Sequence, residues 1–202
     1  MKIPKHTAGA ARATAQLEKW GLPPILLEKI GAFTVAWGLF ESHLERAVWT
    51  LKQEQVHGTR PSTDSSQLSD WITVLTNGRA DFTIKTNEVL HSAGLAAEDL
   101  ASYRHSLMHG MLIPLGGKPF FMRNTSWFGA VRKRKFGDAH IDENLLDLAI
   151  DAAWILFRVT HAVEKFMSEP YEPEVIETLG SEVGRAKSSA NELRQPLRAN
   201  ES

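Results

Sequence analysis

The chain has 202 residues, 43% of them hydrophobic, which is enough to bury the core of one domain without asking for two. Its 23 basic and 24 acidic residues leave a formal net charge of −1, so an overall electrostatic pull on nucleic acid is excluded and any such binding must be local. With no cysteine, disulfides, thiolate nucleophiles and sulfur-based zinc sites are excluded too, and a reducing cytoplasm is the expected setting.

Residues 1–21 are Ala- and Thr-rich, carry Lys2, Lys5 and Arg12, lack the apolar stretch of a secretory signal, and read as a flexible segment. Pro23 and Pro24 then open a long helix, where proline is tolerated because first-turn amides have no intrahelical partner. Leu26, Ile30, Phe33, Trp37, Phe40, Leu44, Ala47 and Leu51 recur at steps of three and four, so the spacing predicts a helix over about Ile25 to Gln53 with a continuous apolar seam. Gly58, Pro61 and a Ser/Thr/Asp cluster mark a loop over His57 to Ser66. A helix beginning near Asp64 follows, with Leu68, Trp71, Ile72 and Leu75 on one face, and Asn77-Gly78 stops or kinks it.

Ala80 to His91 is expected to be a separate helical piece ended by Gly94, and Ala96 to His109 the next main helix, with Leu100, Leu107 and Met111 on its apolar side. Gly110 is placed as a left-handed C-terminal cap. Met111–Ile113, Pro119–Met122 and Trp127–Val131 are short apolar runs broken by Gly116-Gly117 and Asn124, which predict one or two hairpin strands. Asp142 is a good N-cap, Ile141 and Leu146 are spaced as a hydrophobic staple, and the helix they start has the seam Leu145, Leu148, Ala152, Ile155, Val159, Val163 and Phe166. Past Pro170 the chain is Glu-, Ser- and Ala-rich and is expected to be mostly flexible, with at most a short docked helix near Val175 to Leu179. The sum is an all-α, up-and-down helical bundle over residues 22–169, with a small hairpin-like insertion at about 111–140 between the last two main helices, and a tail over 170–202.

Polar groups on the apolar faces are the informative anomaly. Glu41 lies four residues after Trp37 and three before Leu44, and Arg104 lies four after Leu100 and three before Leu107. Opposite charges that are costly to bury alone make natural partners, so a Glu41–Arg104 contact is expected, either fixing helix register or orienting Arg104 toward a phosphate. His109 follows Arg104 by five residues, about 140° round a helix, so convergence of the two needs a bend at Gly110 or a second copy of the chain. His105 and His109 share a side, but without a third ligand at a recognised spacing no metal is expected.

The stretch Tyr103-Arg104-His105-Ser106-Leu107-Met108-His109-Gly110 resembles the signature of the HEPN superfamily: an Arg, a polar residue, three variable residues and a His on a late helix of a bundle. Trp37-Gly38-Leu39-Phe40-Glu41 also looks like the first helix of several such families, and the likeness spans roughly residues 25–110 and the helix from Asp142. Where the commonest form has Asn after the Arg, this chain has His105. The resemblance implies a metal-independent endoribonuclease with no cofactor, acting as a homodimer in a toxin or defence setting, with RNA as substrate, a neutralising antitoxin or other protein as partner, and no membrane association. It makes His109 the general base or acid, Arg104 the phosphate holder, His105 a second proton carrier, and Glu41 and Tyr103 supporting residues. Arg132-Lys133-Arg134-Lys135, flanked by Trp127, Phe128 and Phe136, reads either as an RNA-docking run or as a solvated strand edge. The rival functions are a noncatalytic helical interaction protein and a HEPN-like domain that binds a nucleotide without cutting.

Overall fold

A computed structural model describes residues 5–54, 67–114, 119–122 and 138–199. Its elements run α1 (Lys5–Lys19), α2 (Pro24–Leu51), α3 (Leu68–Asn77), α4 (Ile84–His109), β1 (Met111–Ile113), β2 (Phe120–Met122), β3 (Ala139–His140), α5 (Glu143–Lys165), α6 (Pro173–Glu177) and α7 (Gly180–Ala199). The molecule is an all-α bundle with a small antiparallel sheet, ordered β1-β2-β3, inserted between α4 and α5. The expected run 127–131 falls outside the described residues, and the third strand is the short β3, which pairs Phe120 with His140 and Phe121 with Ala139.

The large apolar seams behave as their spacing requires. In α2, Leu26, Phe33, Trp37, Phe40, Leu44, Ala47 and Leu51 are buried, Ile30 is half-buried, and the helix lies mainly along α5 and secondly along α3. Asp142 caps α5 by accepting from the Leu145 amide at 2.9 Å, while Ile141 and Leu146 are both buried beside that turn. The start of α3 is capped by Asp70, whose carboxylate accepts from the Gln67 amide at 2.9 Å, four positions later than the Asp64 start expected. Among the described residues no single helix is long and apolar enough to cross a membrane.

Three expectations about chain organisation are corrected. The segment read as flexible at the N-terminus holds α1, which meets the body through half-buried Leu17, with Leu22 buried just after it. Gly94 does not end a helix, since α4 continues through it; glycine is used there because a Cβ would come 2.0 Å from Thr76 Oγ1 and 2.9 Å from Thr76 Cα, where α3 and α4 approach. The C-terminal tail is structured as α6 and α7, and Val183, Ala186, Ala190 and Leu193 are buried, with α7 packed on α4 and α5. Ala186, Ser189 and Ala190 are among the buried residues of α7, so its inner face is built largely of small side chains that hide from a search for large apolar ones.

A polar clamp fastens this C-terminal part to the start of α4. Thr83 accepts from the Thr86 amide at 3.0 Å as N-cap and donates its hydroxyl to Glu177 at 2.7 Å, while its own amide donates to Tyr171 Oη at 3.1 Å. The bond from the Thr83 hydroxyl, and then Lys85 Nζ 3.1 Å away, hold the Glu177 carboxyl below its ordinary value. A carboxylate whose folded value is depressed contributes stability above its unfolded value and loses it as the pH falls through the folded one. Wild type is therefore expected to be more stable than Glu177→Gln at pH 7, with the gap narrowing as the pH falls below the ordinary carboxylate range, as read from urea unfolding midpoints across an acid pH series.

Candidate functional site

The last turns of α4 present the motif residues because of which neighbours are buried. Tyr103, Ser106 and Leu107, at steps of three and one, face the core, which turns Arg104, His105 and Met108 to a half-exposed position and His109 to solvent. Tyr103 is 1% exposed; its ring lies 6.2 Å from that of Phe33 and its hydroxyl donates to the His140 carbonyl at 3.0 Å, so it ties the helix end to β3. Burial, and then the charge of Asp142, push its phenol well above the usual range. Tyr103 is thus an anchor and does not exchange protons near neutrality.

Gly110 is not a left-handed cap. Its φ of −76° and ψ of 157° are extended, and the chain passes straight into β1. Glycine is required there by contact: a Cβ would meet the Ser106 carbonyl oxygen at 2.5 Å and Phe121 Cβ at 2.7 Å. The sheet is thereby pressed against the end of α4, with Leu112 opposite Phe121 and Met111 opposite Met122 in the β1–β2 register. Met111, expected on the apolar side of the helix, is a β1 residue and 45% exposed.

Of the groups the sequence singles out, His105 and His109 come together, their ring centroids 4.8 Å apart at 54°. Arg104 and Glu41 do not meet. Glu41 accepts from its own helix, from Trp37 Nε1 at 3.2 Å, and among the described residues Arg104 makes no ion pair. The packing order bears on this: α2 lies mainly on α5 and α4 mainly on α7, and where α2 and α4 do meet Tyr103 reaches Phe33, eight residues before Glu41. Arg104 makes no contact with His109 among the described residues either, as a straight helix end keeps them about 140° apart. Arg132, Lys133, Arg134 and Lys135 lie outside the described residues.

An open groove of about 630 Å³ lies elsewhere, between α3 and α4, with Asn77, Asn87, Glu88 and His91 in its walls. His91 is thirteen residues from Arg104 on one helix, roughly 20 Å at 1.5 Å per residue, so the groove is not an extension of the motif. The sequence reading passed over a second ionisable cluster, His43 on α2 with His161 and Glu164 on α5. Its only sequence signal is the three-residue step from His161 to Glu164, since His43 is 121 positions from Glu164 and arrives through helix packing. No known protein family, curated protein or solved structure matches the chain.

Proposed function

We propose that this chain is a metal-independent endoribonuclease of HEPN type whose site is the C-terminal end of α4, with Arg104, His105 and His109 as its chemical groups. The observation that carries the reading is one helix end presenting a pair of adjacent imidazoles and, one residue before them, a half-exposed guanidinium with no carboxylate partner among the described residues. A cation without an ion pair among the described residues suits an anionic ligand, and the planar fork of Arg suits phosphate oxygens.

The reaction these groups serve is transfer of the phosphorus from one oxygen to another. The RNA 2′-oxygen bonds to the adjacent phosphorus and the bond to the 5′-oxygen breaks, leaving a 2′,3′-cyclic phosphate and a free 5′-hydroxyl. One imidazole takes the 2′-hydroxyl proton and a second gives a proton to the departing 5′-oxygen, while Arg104 holds the non-bridging oxygens as their charge grows. Because Arg104 and His109 leave one helix on different sides, the active form is a homodimer in which Arg104 faces the phosphate together with the partner's His109. Tyr103 supports this by fixing the helix end on β3. Glu41, held by Trp37, has no part in it.

The test is cleavage of a labelled single-stranded RNA by purified protein in EDTA, with a 2′,3′-cyclic phosphate as the expected end group. Failure of wild type to cut while it still retains RNA on a filter turns the reading to a noncatalytic binding domain. In the same setting, growth arrest on expression that either Arg104→Ala or His109→Ala relieves supports a toxin or defence role.

A further inference from the structure

On the solvent side of the α2–α5 seam four polar side chains gather. His43 projects from α2, and His161 and Glu164 project from α5 one turn apart. His43 Nδ1 hydrogen-bonds Glu164 Oε2, Arg46 Nη1 donates to the other oxygen, Oε1, at 2.9 Å, and His161 Nδ1 lies 3.8 Å from Oε2. The two imidazoles meet edge to face, with centroids 5.1 Å apart, and both rest on the Phe157 ring, at 4.9 Å for His43 and 5.7 Å for His161. Burial alone would raise the Glu164 carboxyl, but the bonds from Arg46 and His43 outweigh it and hold the group ionised below its ordinary value.

We propose that His43, His161 and Glu164 form a binding site for a divalent first-row cation of the zinc type that bridges α2 and α5. One ligand atom from each lies within 4.8 Å of the others. Bonds of about 2.0–2.1 Å in a tetrahedral arrangement put ligand atoms roughly 3.3 Å apart. His161, whose side chain is 46% exposed, has to move inward, and the His43–Glu164 hydrogen bond has to open to the same spacing while Arg46 keeps its hold on the other carboxylate oxygen. Two neutral imidazoles and one carboxylate oxygen are donors that suit zinc, cobalt or nickel better than magnesium or calcium, which prefer all-oxygen shells. Arg46 binds the oxygen the metal does not use and so orients the carboxylate, as partners of metal ligands commonly do. Three protein donors on a half-exposed seam leave a coordination position facing solvent. This site is separate from the end of α4, so its occupancy does not bear on cleavage in EDTA.

Untagged protein, freed of metal by chelation and desalting, is titrated with Co²⁺ followed by visible absorption, and with Zn²⁺ by calorimetry. Expected are d–d bands of four-coordinate intensity and one equivalent bound per chain. His161→Ala, His43→Ala and Glu164→Gln should each abolish stoichiometric binding, while Arg46→Ala, which removes the partner that orients the carboxylate, should weaken it about 10–100-fold. His161 is the decisive position, because its exposed side chain can be removed with the helix intact, as circular dichroism checks. The adjacent imidazoles His105 and His109 are the competing donors, so the double variant His105→Ala/His109→Ala is titrated alongside and should bind like wild type. Absence of stoichiometric binding in wild type, binding unchanged in His161→Ala, or binding lost in the His105/His109 variant overturns the proposal.

Discussion

Arg104→Ala and His109→Ala proteins, each inactive alone, are expected to regain about a quarter of wild-type RNA cleavage when mixed in equal amounts and allowed to exchange subunits. Removing a positioned proton carrier costs about 10²–10⁴-fold in rate, and removing a group that stabilises developing charge costs about 10²–10³-fold, so neither variant alone gives a background that obscures the recovery. The fraction follows from the proposed geometry. Random exchange puts about half of the dimers in the mixed form, and each mixed dimer has one site with both substitutions and one with neither. If instead Arg104 and His109 of one chain served the same phosphate, every site in the mixture would lack one group and mixing would recover nothing. Cleavage by wild type without recovery on mixing would keep the nuclease reading and remove the shared site; wild-type levels of cleavage in either variant alone would remove both.

What the sequence discloses depends on whether the deciding contact is local. The α2 and α5 seams are legible because large apolar side chains at steps of three and four must all find one face, and Phe33, Trp37, Phe40, Ile155 and Val163 are indeed buried. The Asp142 cap is legible for the same reason, as donor and acceptor lie three residues apart. Glu41 and Arg104 show the limit. Periodicity puts each on an apolar stripe, but both are half-exposed, it does not say which helices become neighbours, and Glu41 is satisfied within its own helix by Trp37. The α7 seam was missed because Ala186, Ser189 and Ala190 carry almost no hydropathy signal although all are buried. At the candidate site, the order Arg104, His105, His109 and the adjacency of the two imidazoles follow from helix geometry, while the extended course of Gly110 depends on Phe121, eleven residues on and in another strand. His43, His161 and Glu164 are legible only once α2 lies on α5.

Gly94 separates these two kinds of information by experiment. In a helix read by itself, Gly94→Ala should stabilise by up to about 1 kcal/mol through helix propensity. In this fold it is expected to do the reverse, because the new methyl would sit 2.0 Å from Thr76 Oγ1 and 2.9 Å from both Cα and Cβ of Thr76. Overpacking of this kind costs about 1–3 kcal/mol. Gly184→Ala is the internal control: it lies exposed within α7 and has nothing within 4 Å of its would-be Cβ, so the same substitution should stabilise there. Thermal and urea unfolding of the two single variants should therefore shift in opposite directions. Adding Thr76→Ala to Gly94→Ala removes the nearest oxygen but leaves the Thr76 Cα and Cβ in place, so recovery should be partial. Full recovery would mean that a side-chain hydroxyl alone sets the spacing of α3 and α4. A stabilised Gly94→Ala would mean that the two helices do not approach as closely as their contact at Thr76 requires.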